Sequence, residues 1–184
     1  MSSDLERYVP FVGGGTIEEL RLFGDRLRGR LVQHVNSTAV GGGVAEILHR
    51  LVPLLREVGV DARWDVMHGG EAFFAVTKRL HNALHGAPET FTPDDAKVLR
   101  ETTEDNLHTL KMSDDLVFIH DPQPVQLVET RRPGSRWIWR CHIDLSAPAA
   151  GAWDMIRPWV ERYDAAIFSA PQFSRALPFW PASY

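Results

Sequence analysis

The sequence predicts an α/β domain in which a mainly parallel sheet is covered by helices on both faces. Strand-like segments alternate with helix-like segments along the whole chain, which is the pattern of such sheets. The first strand segment runs into three consecutive glycines and then into an amphipathic helix. With 184 residues, 44% hydrophobic and 24% charged, the chain has enough interior for one globular domain, residues 1–184.

The first half of the chain predicts four helices and two strands. Thr16 and Glu19 form a capping-box pattern at the start of the first helix. Thr92, followed by Pro93 and two acidic residues, has the pattern of another helix start. The predicted segments are helices at 16–27, 44–58, 73–84 and 93–110 and strands at 31–36 and 60–66.

The second half continues the same alternation. The predicted segments are strands at 115–120, 136–142 and 165–169 and helices at 124–129 and 148–162. Residues 121–124 form a turn after the first of these strands. Because helices separate successive strands, neighbouring strands are expected to run parallel.

Composition excludes several functional classes. The net charge is −4 and the basic residues are scattered, which argues against nucleic acid or an anionic membrane as the main partner. The single cysteine, Cys141, excludes an internal disulfide framework and agrees with a reducing cytoplasm. We find neither an apolar run of about 18 residues nor a signal-peptide pattern, so a cytoplasmic location is expected.

The glycine run at Gly41–Gly43 predicts a place where a ligand approaches the backbone closely, because glycine has no Cβ. The helix that follows offers unpaired N–H groups and the positive end of its dipole to phosphate or other electron-rich oxygens. A tight turn with positive φ is the alternative, and it explains one glycine more readily than three.

Polar residues cluster where three predicted strands end, and ligands of open α/β sheets bind at the carboxyl ends of strands. A histidine at a strand end is more often structural than catalytic, but three such strand ends would face one crevice. The residues are Asn36, Ser37, Thr38, His120, Asp121, Gln123, His142 and Asp144.

Other candidate sites have less support. Lys78, His81 and Asn82 share a helix face that could reach a polyol, with a solvated face as the alternative. The pair at 120–121 lacks a third ligand at a convincing spacing, so no metal site is predicted. Cys141 lacks the context of an activated nucleophile. A dinucleotide-binding dehydrogenase is disfavoured because its glycines are spaced, whereas these are contiguous.

Five motifs occur here in the order that they have in a known family. The chain resembles the N-terminal half of the glycosyltransferring trehalose synthases of glycosyltransferase family 4, and it is also similar to the retaining trehalose phosphorylases. The resemblance extends from about Tyr8 to Pro181. The motifs lie at 34–38, 41–46, 81–84, 120–124 and 139–146.

The resemblance implies a GT-B architecture, in which two Rossmann-like domains face each other across the active site. It implies a retaining transfer of glucose from a nucleotide-glucose to glucose, forming trehalose without a metal or other cofactor. Gly42 and Gly43 match the loop at the donor diphosphate, and His142 matches the catalytic histidine beside the transferred sugar. The residues that we assign to the acceptor are Asn36, Ser37, His120, Asp121, Gln123 and Asp144.

The chain departs from the family in lacking the C-terminal donor-binding domain, which carries the basic pair that grips the diphosphate. We therefore expect the chain alone not to transfer glucose at a meaningful rate. It would be a truncated domain or one half of a split enzyme, with small sugars, a nucleotide sugar and the missing half as partners. Its uncovered cleft face makes homo-oligomerisation plausible. A non-catalytic sugar-binding or interaction module is the alternative.

Overall fold

The computed structural model describes residues 4–178, so Pro181, at the end of the predicted resemblance, lies outside the described residues. The five strands of the described part form one sheet in the order β2-β1-β3-β4-β5, and every neighbouring pair is parallel. The strands are β1 Leu31–Asn36, β2 Asp61–Val66, β3 Leu116–His120, β4 Arg136–Arg140 and β5 Ala165–Ile167. The direction of winding reverses between β1 and β3, which creates a crevice at their carboxyl ends.

Six α-helices connect and flank these strands within residues 4–178. They are α1 Val9–Val12, α2 Gly14–Arg26, α3 Gly43–Glu57, α4 Glu71–Leu84, α5 Pro93–Leu107 and α6 Ala150–Val160. Short 3-10 helices occupy Leu5–Tyr8, Val125–Thr130 and Pro171–Phe173. In this part of the chain we find no helix with the length and apolar character needed to cross a membrane.

Helices pack against both faces of the sheet, as predicted. On one face, α4 and α6 form the larger core with β1, β3 and β4, in which Trp137 and Trp139 are buried. On the other face, α3 packs Leu48 and Val52 against β1 and β2. The Rossmann-like α/β fold predicted from the sequence is therefore confirmed.

Some predicted boundaries match the structure closely. The strand at 31–36 is confirmed at both ends. The predicted start of α5 is also confirmed, because Thr92 and Asp95 form a complete capping box. The Thr92 hydroxyl accepts a hydrogen bond from the Asp95 N–H at 3.2 Å, and the Asp95 carboxylate accepts one from the Thr92 N–H at 2.8 Å.

Other predicted boundaries were wrong. The capping box at Thr16 does not form, because the Thr16 hydroxyl donates to the Val12 carbonyl at 2.8 Å and α2 already begins at Gly14. β4 ends at Arg140, two residues early, because the His142 N–H donates to the Asp121 carboxylate rather than to a strand carbonyl. Helical residues at 5–12 were not predicted, and α4 begins at Glu71, two residues before its predicted start. The ends of α5, α6 and β5 are each two or three residues short, and residues 125–130 form a 3-10 helix.

Candidate functional site

A cavity of about 210 Å³ lies at the carboxyl ends of β1 and β3, where the winding of the sheet reverses. Four separate parts of the chain contribute to its wall: the end of β1 with the loop after it, the start of α3, the last turn of α4, and the end of β3 with the turn after it. The lining residues are Asn36, Ser37, Thr38, Gly42, Gly43, Val44, His81, His120, Asp121 and Gln123. A larger but open groove of about 1010 Å³ runs along α3 and shares only Gly43 with this cavity.

Two residues of the glycine run have the positive φ of the alternative interpretation, a tight turn. Gly41 has a φ of 72° and Gly42 a φ of 140°, both in the region that favours glycine. A Cβ at Gly43 would meet no atom within 4 Å. Within residues 4–178 no side chain caps α3. The N–H groups of its first turn have no acceptor inside the helix, and this turn lies at the cavity wall.

Asn36 shapes the loop that leads into the glycines. Its side-chain amide donates to the Thr38 carbonyl at 2.7 Å, and its oxygen accepts from the indole N–H of Trp64 at 2.8 Å. The Thr38 hydroxyl in turn donates to the Val40 carbonyl at 2.6 Å. Both ends of the Asn36 amide are therefore engaged within the protein, although the residue also lines the cavity.

Three histidines, two on the neighbouring strands β1 and β3 and one just after β4, form one hydrogen-bonded chain. His34 Nδ1 lies 3.0 Å from His120 Nε2, and His120 Nδ1 lies 3.1 Å from His142 Nε2. His34 and His120 are buried, and His142 is partly buried. The predicted site included the last two, but His34 was missed as a functional residue. Its signal was an imidazole in the middle of an otherwise buried strand.

Burial lowers the pKa of each histidine in this chain. The pKa is lowered to about 4 for His34, to about 2 for His120 and to about 4 for His142. At His120 the neighbouring histidines lower the pKa further, because two adjacent imidazolium charges repel each other. All three rings are consequently neutral at pH 7, so each has one N–H donor and one bare nitrogen.

Asp121, in the turn after β3, holds the backbone of His142 so that its ring lies beside His120. Its φ of 64° is the one positive value among the non-glycine residues of the described chain. Its N–H donates to the Arg140 carbonyl at 3.0 Å, its carbonyl accepts from the Trp139 indole at 3.0 Å, and its carboxylate accepts from the His142 N–H at 2.7 Å. Such strain persists only where surrounding contacts enforce it, and it concentrates at functional sites. Burial raises the pKa of Asp121 to about 6.

The other predicted site residues are placed differently. His81 lines the cavity and lies beside His85, with ring centres 4.9 Å apart. Lys78, Asn82, His142 and Asp144 are not among the lining residues. His142 instead contacts the lining residue His120, and the Asp144 carboxylate accepts from the Ser146 N–H at 2.8 Å.

Two further expectations concern reactive or metal-binding groups. Cys141 is buried, and burial raises the pKa of its thiol, which is the opposite of activation. Within residues 4–178 no group of three His, Cys, Asp or Glu side chains is placed to hold a metal ion.

Comparison with known proteins identifies relatives of the chain. Residues 34–175 match the family described as "Trehalose synthase, N-terminal domain". The chain is 44% identical to a trehalose synthase of Pyrococcus horikoshii over 171 residues, which are 92% of this chain and 41% of the relative. It is 44% identical over 162 residues to a trehalose synthase of Rubrobacter xylanophilus, covering 85% of this chain and 39% of that protein.

The chain is also similar, at lower identity, to proteins named for a different activity. The chain is 34% identical to a trehalose phosphorylase of Pleurotus pulmonarius over 159 residues, which are 77% of this chain and 21% of the relative. The chain thus spans about two-fifths of the length of the trehalose synthases it matches.

Proposed function

The chain belongs to the family of trehalose synthase N-terminal domains, and we propose that it is the acceptor-binding half of a retaining glucosyltransferase that forms trehalose. One observation carries this proposal: a single cavity joins the uncapped start of α3 to the turn that bears His120, Asp121 and Gln123. A glucosyl transfer needs these two elements together, one for the leaving diphosphate and one for the incoming hydroxyl.

The start of α3 would stabilise the leaving group. A nucleotide-glucose releases a nucleoside diphosphate, and its charge grows as the glycosidic bond breaks. Backbone N–H groups at Gly42 and Gly43, together with the positive end of the α3 dipole, favour an anion at this place. Because these donors are held in position before the reaction, they stabilise the developing charge without reorganisation.

The turn after β3 would hold the acceptor. His120, Asp121 and Gln123 line the cavity together with the glycines, and they supply both donors and acceptors for the hydroxyls of a glucose. Ser37 and His81 also line the cavity and extend this polar surface. Fixing the acceptor hydroxyl near the anomeric carbon accounts for a large part of the rate of such a transfer.

His142 would orient the transferred sugar. Its neutral ring is the outer end of the histidine chain, and Asp121 fixes its backbone. A neutral imidazole in this place provides a hydrogen bond to a sugar oxygen rather than a covalent nucleophile. No cofactor and no metal take part in the proposed reaction; the nucleotide-glucose is a co-substrate.

The complete reaction would need a second half. The relatives are more than twice as long as this chain. Apart from the diphosphate contact at the start of α3, we assign binding of the nucleotide-glucose to the region that the chain does not match. A C-terminal domain or a separately encoded partner would supply it. We infer that the chain alone binds acceptor sugar but does not transfer glucose.

The test is to join this chain to the unmatched remainder of the Pyrococcus horikoshii trehalose synthase. We expect the joined protein to transfer glucose from a nucleotide-glucose to glucose, and the chain alone not to do so. His142→Ala in the joined protein should reduce turnover by about 10²-fold or more while circular dichroism shows an unchanged fold. Near-normal turnover of H142A would contradict the role of His142. A joined protein that binds sugar without any transfer would instead support the sugar-binding module.

A further inference from the structure

The two ends of the histidine chain lie in different surroundings. At the inner end, His34 Nε2 is buried and has no hydrogen-bond partner among residues 4–178. At the outer end, the side chain of His142 is partly buried just after the carboxyl end of β4, and its Nδ1 makes no contact within the histidine chain. The ring centres of His120 and His142 are 5.4 Å apart at an interplanar angle of 19°, so the rings meet edge to edge through their nitrogens.

Counting protons leaves only two arrangements for this chain. Three neutral rings carry three protons on six nitrogens. Each of the two nitrogen–nitrogen contacts holds one proton. Two protons in one contact would clash, and a contact without a proton would not be a hydrogen bond. The third proton therefore lies either on His34 Nε2 or on His142 Nδ1. The position of this proton sets the direction of donation along the whole chain.

The inner end decides between the two arrangements. A buried N–H without an acceptor is among the rarest features of folded proteins, whereas an unpaired acceptor is tolerated more often. His34 Nε2 is in such a place, so the bare nitrogen belongs there and the third proton belongs at the outer end. His34 then donates through Nδ1 to His120, and His120 donates through Nδ1 to His142.

We propose that His34 and His120 are positioning residues, which lock His142 in the tautomer that carries its proton on Nδ1. His142 can then donate to a lone pair of a sugar oxygen but cannot accept a proton at that nitrogen. The low pKa values of the three histidines keep their rings neutral and preserve this arrangement of protons. The identity of the acceptor as a sugar oxygen rests on the proposed function, whereas the tautomer itself does not.

The tautomers can be measured on the complete 184-residue chain without any ligand. Long-range ¹H–¹⁵N correlation spectra of histidine-labelled protein at pH 7 distinguish a protonated ring nitrogen from a bare one. We expect His34, His120 and His142 each to carry the proton on Nδ1 and to have a bare Nε2. A proton on Nε2 of His142, or a mixture of both tautomers at this residue, would overturn the proposal.

A matched pair of variants tests the positioning role of His120. In His120→Asn the side-chain amide retains a donor near the place of Nδ1, and in His120→Leu the donor is lost. We expect His142 to remain in the Nδ1–H tautomer in H120N and to become a mixture in H120L. An unchanged tautomer in H120L would overturn the positioning role. If H120L does not fold, the spectra of the wild type and H120N test the proposal instead. Loss of the His142 Nδ1–H signal in H120N would also contradict it.

Addition of glucose separates this inference from the proposed function. If the Nδ1–H tautomers are present but glucose shifts no signal of the three rings, the proposed function fails while the tautomer assignment stands. If glucose shifts the His142 signals while its proton lies on Nε2, the tautomer assignment fails while sugar binding stands.

Discussion

Helices α3 and α5 both have 15 residues, but they begin in opposite ways. At α5, Thr92 and Asp95 satisfy each other's backbone N–H groups, and the helix start is closed by its own side chains. At α3, Gly42 precedes the first turn, no side chain of the described residues caps it, and the turn lines a cavity. The start of α5 therefore serves stability, whereas we propose that the start of α3 is left open for a ligand.

Among changes at the two helix starts, the largest effect is expected from a substitution that strains the backbone before α3. Gly42→Ala places a Cβ on a residue with a φ of 140°, although the nearest atom, Thr38 Cγ2, is 3.8 Å away. Strain rather than crowding would move the loop and displace the N–H donors. We expect transfer by the joined protein to fall about 10²-fold, as for loss of one donor to a developing anion.

The control for this variant is a glycine at another helix start. Gly70 precedes α4 with a φ of −83°, and a Cβ there would meet no atom within 4 Å. Gly70→Ala should leave the transfer rate unchanged in the same assay. Equal losses in both variants would show that the start of α3 has no special role.

The histidine chain and the closed start of α5 should respond to acid at different pH values. The lowered histidine pKa values contribute stability that is complete above pH 6.5. This stability is lost as the pH falls through about 4 for His34 and His142 and through about 2 for His120. Asp95 has a pKa below its ordinary 3.8, because the Thr92 N–H bonds its carboxylate, so its contribution is lost only below pH 3.8. Asp121, with its raised pKa, contributes below pH 3.8 and loses this contribution as the pH rises through about 6.

Three histidines outweigh one opposing carboxylate, so the free energy of unfolding should fall between pH 6.5 and pH 4 and fall further in stronger acid. Urea unfolding across this range measures both parts of the curve. H120N should reduce the pH dependence of the free energy of unfolding between pH 6.5 and pH 4. Asp95→Asn should reduce that dependence below pH 3.8. A curve for H120N that parallels the wild type would contradict the assignment of the upper part to the histidine chain.

The smallest effect is expected at the closed helix start. Thr92→Ala removes the hydroxyl that caps α5, which should cost about 1 kcal/mol of stability. Thr92→Ser keeps the hydroxyl and should retain most of that stability. Sugar binding should be unchanged in both variants, as measured by calorimetry. Weaker glucose binding in T92A would mean that the start of α5 is not purely structural.

Local sequence patterns predicted the elements of the fold well where a single interaction decides a boundary. The apolar strand at Leu31–Asn36 and the helix start at Thr92 are examples, because both depend on neighbouring residues. Thr16 has the same pattern as Thr92 but lies inside α2, since the carbonyl of Val12, one turn earlier, takes its hydroxyl. The pattern alone does not tell whether a preceding turn is already helical.

The site was predictable in outline but not in its connections. Strand ends and contiguous glycines indicated the residues that the cavity brings together, including Gly42 and His120. The histidine chain was not predictable, because the side chain of His34 meets His120 only through the pairing of β1 with β3. The positive φ of Asp121 likewise results from contacts with Trp139 and Arg140, which are distant in sequence.

The most direct test of the account is a titration of the ¹⁵N-labelled chain with glucose and trehalose, followed by backbone amide spectra. We predict that the shifts concentrate at Gly42, Gly43, the turn 120–123 and His142, while the amides at 92–95 do not move. Shifts confined to other surfaces, or none at these amides at the highest glucose concentration that the sample tolerates, would contradict the assignment of this cavity to a sugar.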